Sequence, residues 1–178
     1  MRLILITGMP GSGKTTAARY AEEYGFRVIT MGDVVREEAE RRGLRPTRET
    51  LSTLAEELRR MEGGDAIARR CIERIKALKA EAVIIDGVRS LEEAEAFRRE
   101  FGDATLIAIH ASPRTRFERL RSRGRVDDPV DWDEFHRRDL KELELGLGSA
   151  IAMADAIIIN EGSREELRRE MEDLLRDL

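Results

Sequence analysis

The sequence has a single cysteine, Cys71, and aromatic residues make up only 4% of it. One cysteine excludes an intramolecular disulfide and a zinc site built from several thiolates. The apolar run at residues 3–6 is too short for a membrane span or a signal-peptide core, and glycines follow it closely. We therefore expect a cytoplasmic protein without a membrane partner.

A surplus of positive charge is also missing, because 36 acidic residues outnumber 32 basic ones and the formal net charge is -4. Domains that bind duplex nucleic acid usually carry a basic surplus, so nucleic acid is not an expected partner. The 178 residues fit one domain with a single core. We expect a monomer or a homodimer.

Short apolar runs rich in β-branched residues alternate with longer, charged segments. In the charged segments apolar residues recur at three- and four-residue spacing, as in Ile67, Cys71 and Ile75, which indicates amphipathic helices. Apolar strands that alternate with helices predict an α/β fold with a parallel, doubly wound sheet. The five predicted strands are residues 3–7, 26–30, 82–86, 105–110 and 156–160.

About fifty residues separate the second and third predicted strands, which is more than one crossover helix needs. The segment is predicted to form two or three helices with breaks near residues 43–46 and 63–64. This excess predicts a helical, substrate-binding insertion at residues 31–80. Residues 121–129 are highly charged and are predicted to form a loop.

The most specific pattern is GMPGSGKT at residues 8–15, which matches GxxxxGK[ST] between a strand and a helix predicted over residues 16–24. Such glycines let backbone N–H groups converge on phosphate oxygens, and the helix start adds partial positive charge. Lys14 is expected to bridge the β- and γ-phosphates, and Thr15 to bind Mg²⁺. The alternative, a glycine-rich turn without a ligand, is disfavoured by the Lys-Thr pair at this spacing. The predicted nucleotide-binding residues here are Gly8, Pro10, Gly11, Ser12, Gly13, Lys14, Thr15 and Thr16.

Asp86 ends the third predicted strand, in the sequence VIIDG. An acidic residue at this edge of a parallel sheet is expected to hold the hydration shell of Mg²⁺. Asp86 could instead cap the following helix, but Ser90 is better placed for that. The predicted metal-binding residues are therefore Thr15 and Asp86.

Further segments resemble adenylate kinases and other nucleoside monophosphate kinases. Residues 28–38, VITMGDVVREE, are similar to their strand ending in Ser/Thr and the Gly-Asp-x-x-Arg that follows it. Residues 86–89, DGVR, are similar to their Asp-Gly-Phe-Pro-Arg without the proline. Residues 118–123, ERLRSR, resemble the arginine pair that opens their lid, and residues 125–128, RVDD, resemble its closing Arg-x-Asp-Asp. The resemblance covers nearly the whole chain in the right order.

This resemblance implies a P-loop NTPase fold with strand order 2-3-1-4-5 and a lid at residues 121–138. It implies Mg²⁺ and ATP as cofactors and a nucleotide-like acceptor of the γ-phosphoryl group. Positioned positive charge and exclusion of water are the main means of accelerating phosphoryl transfer, and a lid that carries arginines supplies both. The implied acceptor-binding residues are Thr30, Asp33, Arg36 and Arg89; Arg119 is implied to stack near the donor base; and the implied catalytic residues are Lys14, Arg89, Arg123, Arg125 and Arg138, with Arg137 as the alternative to Arg138.

Other interpretations stay open. Residues 153–167 and 24–28 resemble dephospho-coenzyme A kinase, which is the alternative with the same chemistry, and the overall likeness is greatest to an archaeal group of adenylate-kinase-related P-loop proteins. A nucleotide-dependent switch or assembly ATPase acting on a protein or RNA partner is the alternative from another class. A regulatory GTPase is disfavoured because no Asn-Lys-x-Asp motif occurs. The choice between ATP and GTP is open.

Several conspicuous residues are predicted to be structural. Arginine pairs such as Arg59-Arg60, interleaved with Glu at helical spacing, indicate solvated helix faces. Cys71 is predicted to be an inert core residue, and His110, at the end of the fourth strand, to be structural rather than a general base. Trp132 is predicted to pack where the lid rejoins the body, rather than to stack on a base.

Overall fold

A computed structural model describes residues 1–125 and 128–177, and its centre is a five-stranded parallel sheet. The strands are β1 (Arg2–Thr7), β2 (Arg27–Thr30), β3 (Ala82–Val88), β4 (Ala104–His110) and β5 (Ala156–Ile159). They lie in the order β2-β3-β1-β4-β5, which confirms the predicted topology. The order reverses beside β1, and open α/β sheets bind ligands at the carboxyl edge of such a position.

Helices cover both faces of this sheet. They are α1 (Lys14–Glu22), α2 (Met31–Arg41), α3 (Arg48–Glu62), α4 (Ala66–Ala77), α5 (Leu91–Phe101), α6 (Pro113–Arg123), α7 (Trp132–Glu144), α8 (Leu147–Ala152) and α9 (Arg164–Asp177). α1 and α9 pack together on one face, and α2, α4 and α5 lie on the other. Among the described residues, no helix is both long and apolar enough to cross a membrane.

Alternating side chains of β1 enter two separate cores. Leu3 and Leu5 pack among the residues of α2 to α5, whereas Ile4 and Ile6 pack among those of α1 and α9. Because successive side chains of a strand point to opposite faces, a strand buried on both sides must be apolar throughout. This accounts for the uninterrupted apolar runs in the sequence.

The predicted insertion at residues 31–80 consists of α2, α3 and α4, with breaks close to the predicted positions. Leu54 and Leu58 of α3, and Ile67 and Cys71 of α4, are buried in the core on that face of the sheet. The three helices therefore share the core of the main body.

The structure corrects two details of the sequence prediction. Helix α1 begins at Lys14 rather than residue 16, because Gly13 in the left-handed region starts the helix directly. The solvated interpretation is wrong for Arg59, whose guanidinium donates to Glu93 Oε1 from Nη2 at 2.8 Å and from Nε at 3.2 Å. The Glu93 side chain is fully buried, and a buried carboxylate needs a charged partner.

Candidate active site

The phosphate loop, residues 8–15, connects β1 to α1 and includes the first two residues of that helix. Its backbone conformation depends on its glycines. Gly8 and Gly13 have φ angles of 143° and 103°, which other residues rarely adopt. A Cβ atom at Gly8 would lie 2.2 Å from the carbonyl oxygen of Ile109, and one at Gly13 would lie 2.3 Å from Nδ2 of Asn160. Larger residues are therefore excluded at both positions by close packing as well as by backbone conformation.

Lys14 folds back over this loop. Its Nζ donates hydrogen bonds to the backbone carbonyl oxygens of Gly8 at 2.6 Å and Met9 at 3.1 Å. Burial lowers the pKa of Lys14 to about 8, although the nearby Asp86 carboxylate acts in the opposite direction. An ammonium group held by neutral carbonyls has much to gain from an anionic ligand, which would restore its ordinary pKa.

Thr15 and Asp86, the two residues predicted to bind a metal, meet at the edge of the sheet. Thr15 Oγ1 donates to Asp86 Oδ2 at 2.8 Å, and Asp86 is only 2% exposed. Asp86 Oδ1 is buried and accepts no hydrogen bond from residues 1–125 or 128–177. Buried carboxylate oxygens are rarely left without a partner, and a hydroxyl beside a carboxylate fits the oxygen ligands that Mg²⁺ prefers. Ser90, the alternative cap, does cap α5: its Oγ accepts from the Glu93 N–H at 3.2 Å.

Two residues that the sequence did not single out support the loop from behind. Arg116 donates from Nη1 to the carbonyl oxygen of Pro10 at 3.1 Å. Asn160 donates from Nδ2 to the carbonyl oxygen of Ser12 at 2.7 Å. Both residues are buried, at 3% and 7% exposure. They lie 106 and 148 residues along the chain from their partners in the loop.

A cavity of about 830 Å³ connects the loop with the predicted lid and with the end of β3. Most of the predicted site residues line it: Gly8, Pro10, Gly11, Gly13, Lys14, Thr15, Thr16, Arg89, Arg119, Arg123 and Arg138. Arg119 also donates from Nη1 to the carbonyl oxygen of Asn160 at 2.9 Å, which places its guanidinium beside the segment that follows β5. The predicted residues that do not line the cavity are Ser12, Thr30, Asp33, Arg36, Asp86 and Arg125.

The carboxylate of Glu142 lies beside Arg89, in the part of the cavity assigned to the acceptor. Arg89 donates from Nη1 to both oxygens of Glu142, each at 3.1 Å. The Glu142 side chain is only 13% exposed and lines the same cavity as Lys14. No sequence pattern assigns Glu142 a role, because it lies among several other acidic residues on a charged helix.

The predicted acceptor residues of α2 lie apart from the cavity wall. Thr30 pairs in register with Asp86, so α2 starts next to the carboxylate. Asp33 and Arg36 form an ion pair with each other on the surface, where about half of each side chain is exposed. The structure therefore brings Arg89 to the cavity, whereas Arg36 does not line it.

An ion pair joins the last residue of α6 to Asp128. Arg123 Nε donates to Asp128 Oδ2 at 3.0 Å, and the backbone N–H of Arg125 donates to the same oxygen at 3.0 Å. Burial alone would raise the pKa of Asp128, but these two partners outweigh it and lower the pKa. Asp127, the other acid of the predicted lid motif, lies outside the described residues.

Of three residues expected to be structural, Cys71 and Trp132 make packing contacts, whereas His110 is exposed. Cys71 is buried, and burial raises the pKa of its thiol to about 12. His110 is exposed at the end of β4 and does not line the cavity. Trp132, at the start of α7, packs against Phe117 and Phe135 with ring centroids 5.3 and 5.2 Å away.

The chain is similar to known proteins in its sequence and in its fold. Residues 7–136 match a protein-family model described as an AAA domain. A UPF0200 protein of Hyperthermus butylicus is 49% identical over 97% of this chain and 92% of its own length. The crystal structure of TT1252 from Thermus thermophilus superposes with a TM-score of 0.71 at 22% identity, covering 99% of this chain and 97% of that one. A shikimate kinase from Bacteroides thetaiotaomicron superposes with a TM-score of 0.66 at 19% identity, covering 98% of both chains, so the fold is shared with that kinase.

Proposed function

The chain belongs to the UPF0200 family and contains an AAA domain, and from that premise we propose that it is a Mg²⁺- and ATP-dependent phosphotransferase. The observation that carries the proposal is the shared cavity. Lys14 and Thr15 of the phosphate loop line it together with three arginines, Arg89, Arg123 and Arg138. Arginines in addition to the phosphate loop suit a transferase, because it must hold a donor and an acceptor phosphate in the same cavity.

Thr15 and Asp86 would hold Mg²⁺ together with the phosphates, because a hydroxyl and a carboxylate side by side supply oxygen ligands of the kind that the ion prefers. When bound, the metal would neutralise charge on the phosphate oxygens. Lys14 would leave the carbonyls of Gly8 and Met9 for the β- and γ-phosphates. The arginines would stabilise the charge of the transferred group, since phosphoryl transfer depends mainly on positioning and electrostatic stabilisation.

For the acceptor we propose a nucleotide, with a nucleoside monophosphate first. The support is the similarity of residues 28–38 and 86–89 to the acceptor segments of nucleoside monophosphate kinases, with Arg36 and Arg89 on the acceptor phosphate. Dephospho-coenzyme A is the second candidate, because the segment around β5 resembles its kinase. Glu142 would compete with an acceptor phosphate for Arg89.

A coupled assay of ADP release tests the proposal. We expect at least one acceptor among the nucleoside monophosphates and dephospho-coenzyme A to stimulate turnover. In Lys14→Ala, stimulated turnover should fall about a hundredfold or more, because one electrostatic contact made in the transition state is worth roughly 3 kcal/mol.

Failure of every acceptor to stimulate turnover would contradict the proposal. Acceptor-independent ATP hydrolysis together with co-purifying RNA or ribosomal particles would favour the nucleotide-dependent switch instead.

A further inference from the structure

Arg116 is a buried arginine with every side-chain nitrogen hydrogen-bonded. Nε donates to the carbonyl oxygen of Ala111 at 3.1 Å. Nη1 donates to Asp139 Oδ1 at 2.9 Å and to the carbonyl oxygen of Pro10 at 3.1 Å, and Nη2 donates to Asp139 Oδ2 at 2.6 Å. The guanidinium also lies 5.0 Å from the ring centroid of Phe135. One side chain thus ties together the phosphate loop, the turn after β4, and α7.

The phosphate loop rests on α6 at this same residue. A Cβ atom at Gly11 would lie 2.9 Å from the carbonyl oxygen of Arg116 and 3.2 Å from its Cβ. The middle of the loop is therefore in close contact with the backbone of Arg116 while the side chain bonds the neighbouring carbonyl of Pro10. A displacement of α6 would move the loop with it.

The other end of the ion pair sets the position of α7. Asp139 is 7% exposed and immediately follows Arg138, which lines the cavity. Glu142, which holds Arg89, lies one turn further along the same helix. Fixing Asp139 against Arg116 therefore also fixes where α7 presents its two cavity residues.

Stability alone is a weak reason for such a pair. Two charges lose much solvation on burial, and replacing a buried pair with apolar residues of similar volume is often neutral or stabilising. Arginine suits a positioning role, because its planar fork can bind a carboxylate with two parallel hydrogen bonds and still reach a third acceptor.

We propose that Arg116 and Asp139 are positioning residues that hold the phosphate loop and α7 in the mutual arrangement needed to bind the nucleotide. The pair acts through Pro10 on the loop and through Arg138 and Glu142 on the opposite wall. Its effect on turnover rests on the proposed phosphotransferase function, but its effect on nucleotide affinity does not.

The decisive variant is the double substitution Arg116→Met with Asp139→Leu. It removes both charges and keeps the site filled, so the loss of the ion pair itself should cost little stability. The carbonyl oxygens of Ala111 and Pro10 lose a donor, so the melting temperature should fall modestly while the variant stays folded. Its Kd for a non-hydrolysable ATP analogue with Mg²⁺, measured by calorimetry, should nevertheless rise about tenfold or more, because a hydrogen bond from a charged donor is lost from the loop.

Two further variants complete the test. Arg116→Lys keeps the charge but cannot reach Asp139 and Pro10 together, so its Kd should rise similarly. Arg98→Lys is the matched control: Arg98 bonds Asp155 and the carbonyl oxygen of Ala104 away from the cavity, and the Kd should stay at the wild-type value even if the melting temperature falls.

A double variant that is folded and binds the analogue as tightly as the wild type would overturn the proposal. Weaker binding in Arg98→Lys as well would overturn it too, because the effect would then follow general destabilisation. If the wild type binds the analogue but transfers no phosphoryl group, the proposed function fails while the role of the pair is still decided by the Kd values.

Discussion

At Lys14 two opposing effects meet: burial favours the neutral amine, and the Asp86 carboxylate favours the ammonium. Burial is the larger effect, so the pKa lies at about 8 in the free protein. Nucleotide phosphates would add negative charge beside Nζ and raise that pKa again. The protonation of Lys14 and the occupancy of the loop are therefore thermodynamically linked.

We expect nucleotide binding to take up protons just above pH 8. Between the lower pKa of the free protein and the higher pKa of the complex, the complex holds more protons, so affinity should fall as the pH rises above 8. Calorimetry of an ATP analogue in two buffers with different ionisation enthalpies measures this uptake.

Lys14→Arg is the matched control, because an arginine stays charged throughout this range. Its proton uptake should be absent. A wild-type protein that takes up no more protons than Lys14→Arg between pH 8 and 9 would show that the Lys14 pKa is not coupled to the ligand.

Among single elements, α2 and α6 each carry an arginine that is expected to bind a ligand phosphate and is now paired with a carboxylate. Arg36 is paired with Asp33 on the surface of α2 and stands off the cavity wall. Arg123 is bound to Asp128 while also lining the cavity. Exposed pairs such as Arg36–Asp33 contribute at most about 1 kcal/mol, so an anionic ligand can compete for the arginine at small cost.

For α2 we expect Arg36→Ala to raise the acceptor KM about tenfold and to leave kcat nearly unchanged, since it removes binding rather than transition-state stabilisation. Steady-state kinetics with the acceptor found in the ADP-release assay measure both constants. Arg41→Ala is the control, because Arg41 lies on the same helix and is largely exposed. Unchanged KM and kcat in Arg36→Ala would place the acceptor away from α2.

For the lid we expect diadenosine pentaphosphate, which spans donor and acceptor positions, to slow tryptic cleavage after Arg123 and Arg125. Closure over the ligand would bury this backbone, as lids do in other transferases. Mass spectrometry assigns the cut sites, and Lys14→Ala, which should not bind the compound, should show no protection. Equal cleavage rates with and without the compound in the wild type would argue against closure.

Across the whole molecule, sequence patterns predict helices, strands and short motifs, but they do not predict side-chain contacts between distant parts of the chain. The strands and the residues of the phosphate loop follow from apolar runs and a fixed spacing, whereas the strand order follows from the resemblance to nucleoside monophosphate kinases. Arg116, Asp139 and Asn160 could not be found in this way, because their partners lie 23 to 148 residues away. The only signal for Arg116 was its position four residues before Leu120 on the buried side of α6.

The contact between Arg59 and Glu93 could not be predicted for the same physical reason. Glu spacing along α3 suggested exposed pairs within one helix, but the preferred partner is Glu93 on α5. A helical repeat specifies which face of the helix a residue occupies. Whether an arginine on that face contacts water or a carboxylate of another helix depends on how the helices pack. Glu142 likewise gains its place in the cavity from how α7 packs.

The bond between Asn160 and the carbonyl oxygen of Ser12 joins parts of the chain 148 residues apart, and this has a consequence for biosynthesis. The phosphate loop is synthesised well before Asn160, so a nascent chain that ends between them holds the loop without this contact to the carbonyl oxygen of Ser12. The support of the loop is therefore complete only after the chain has been extended beyond β5.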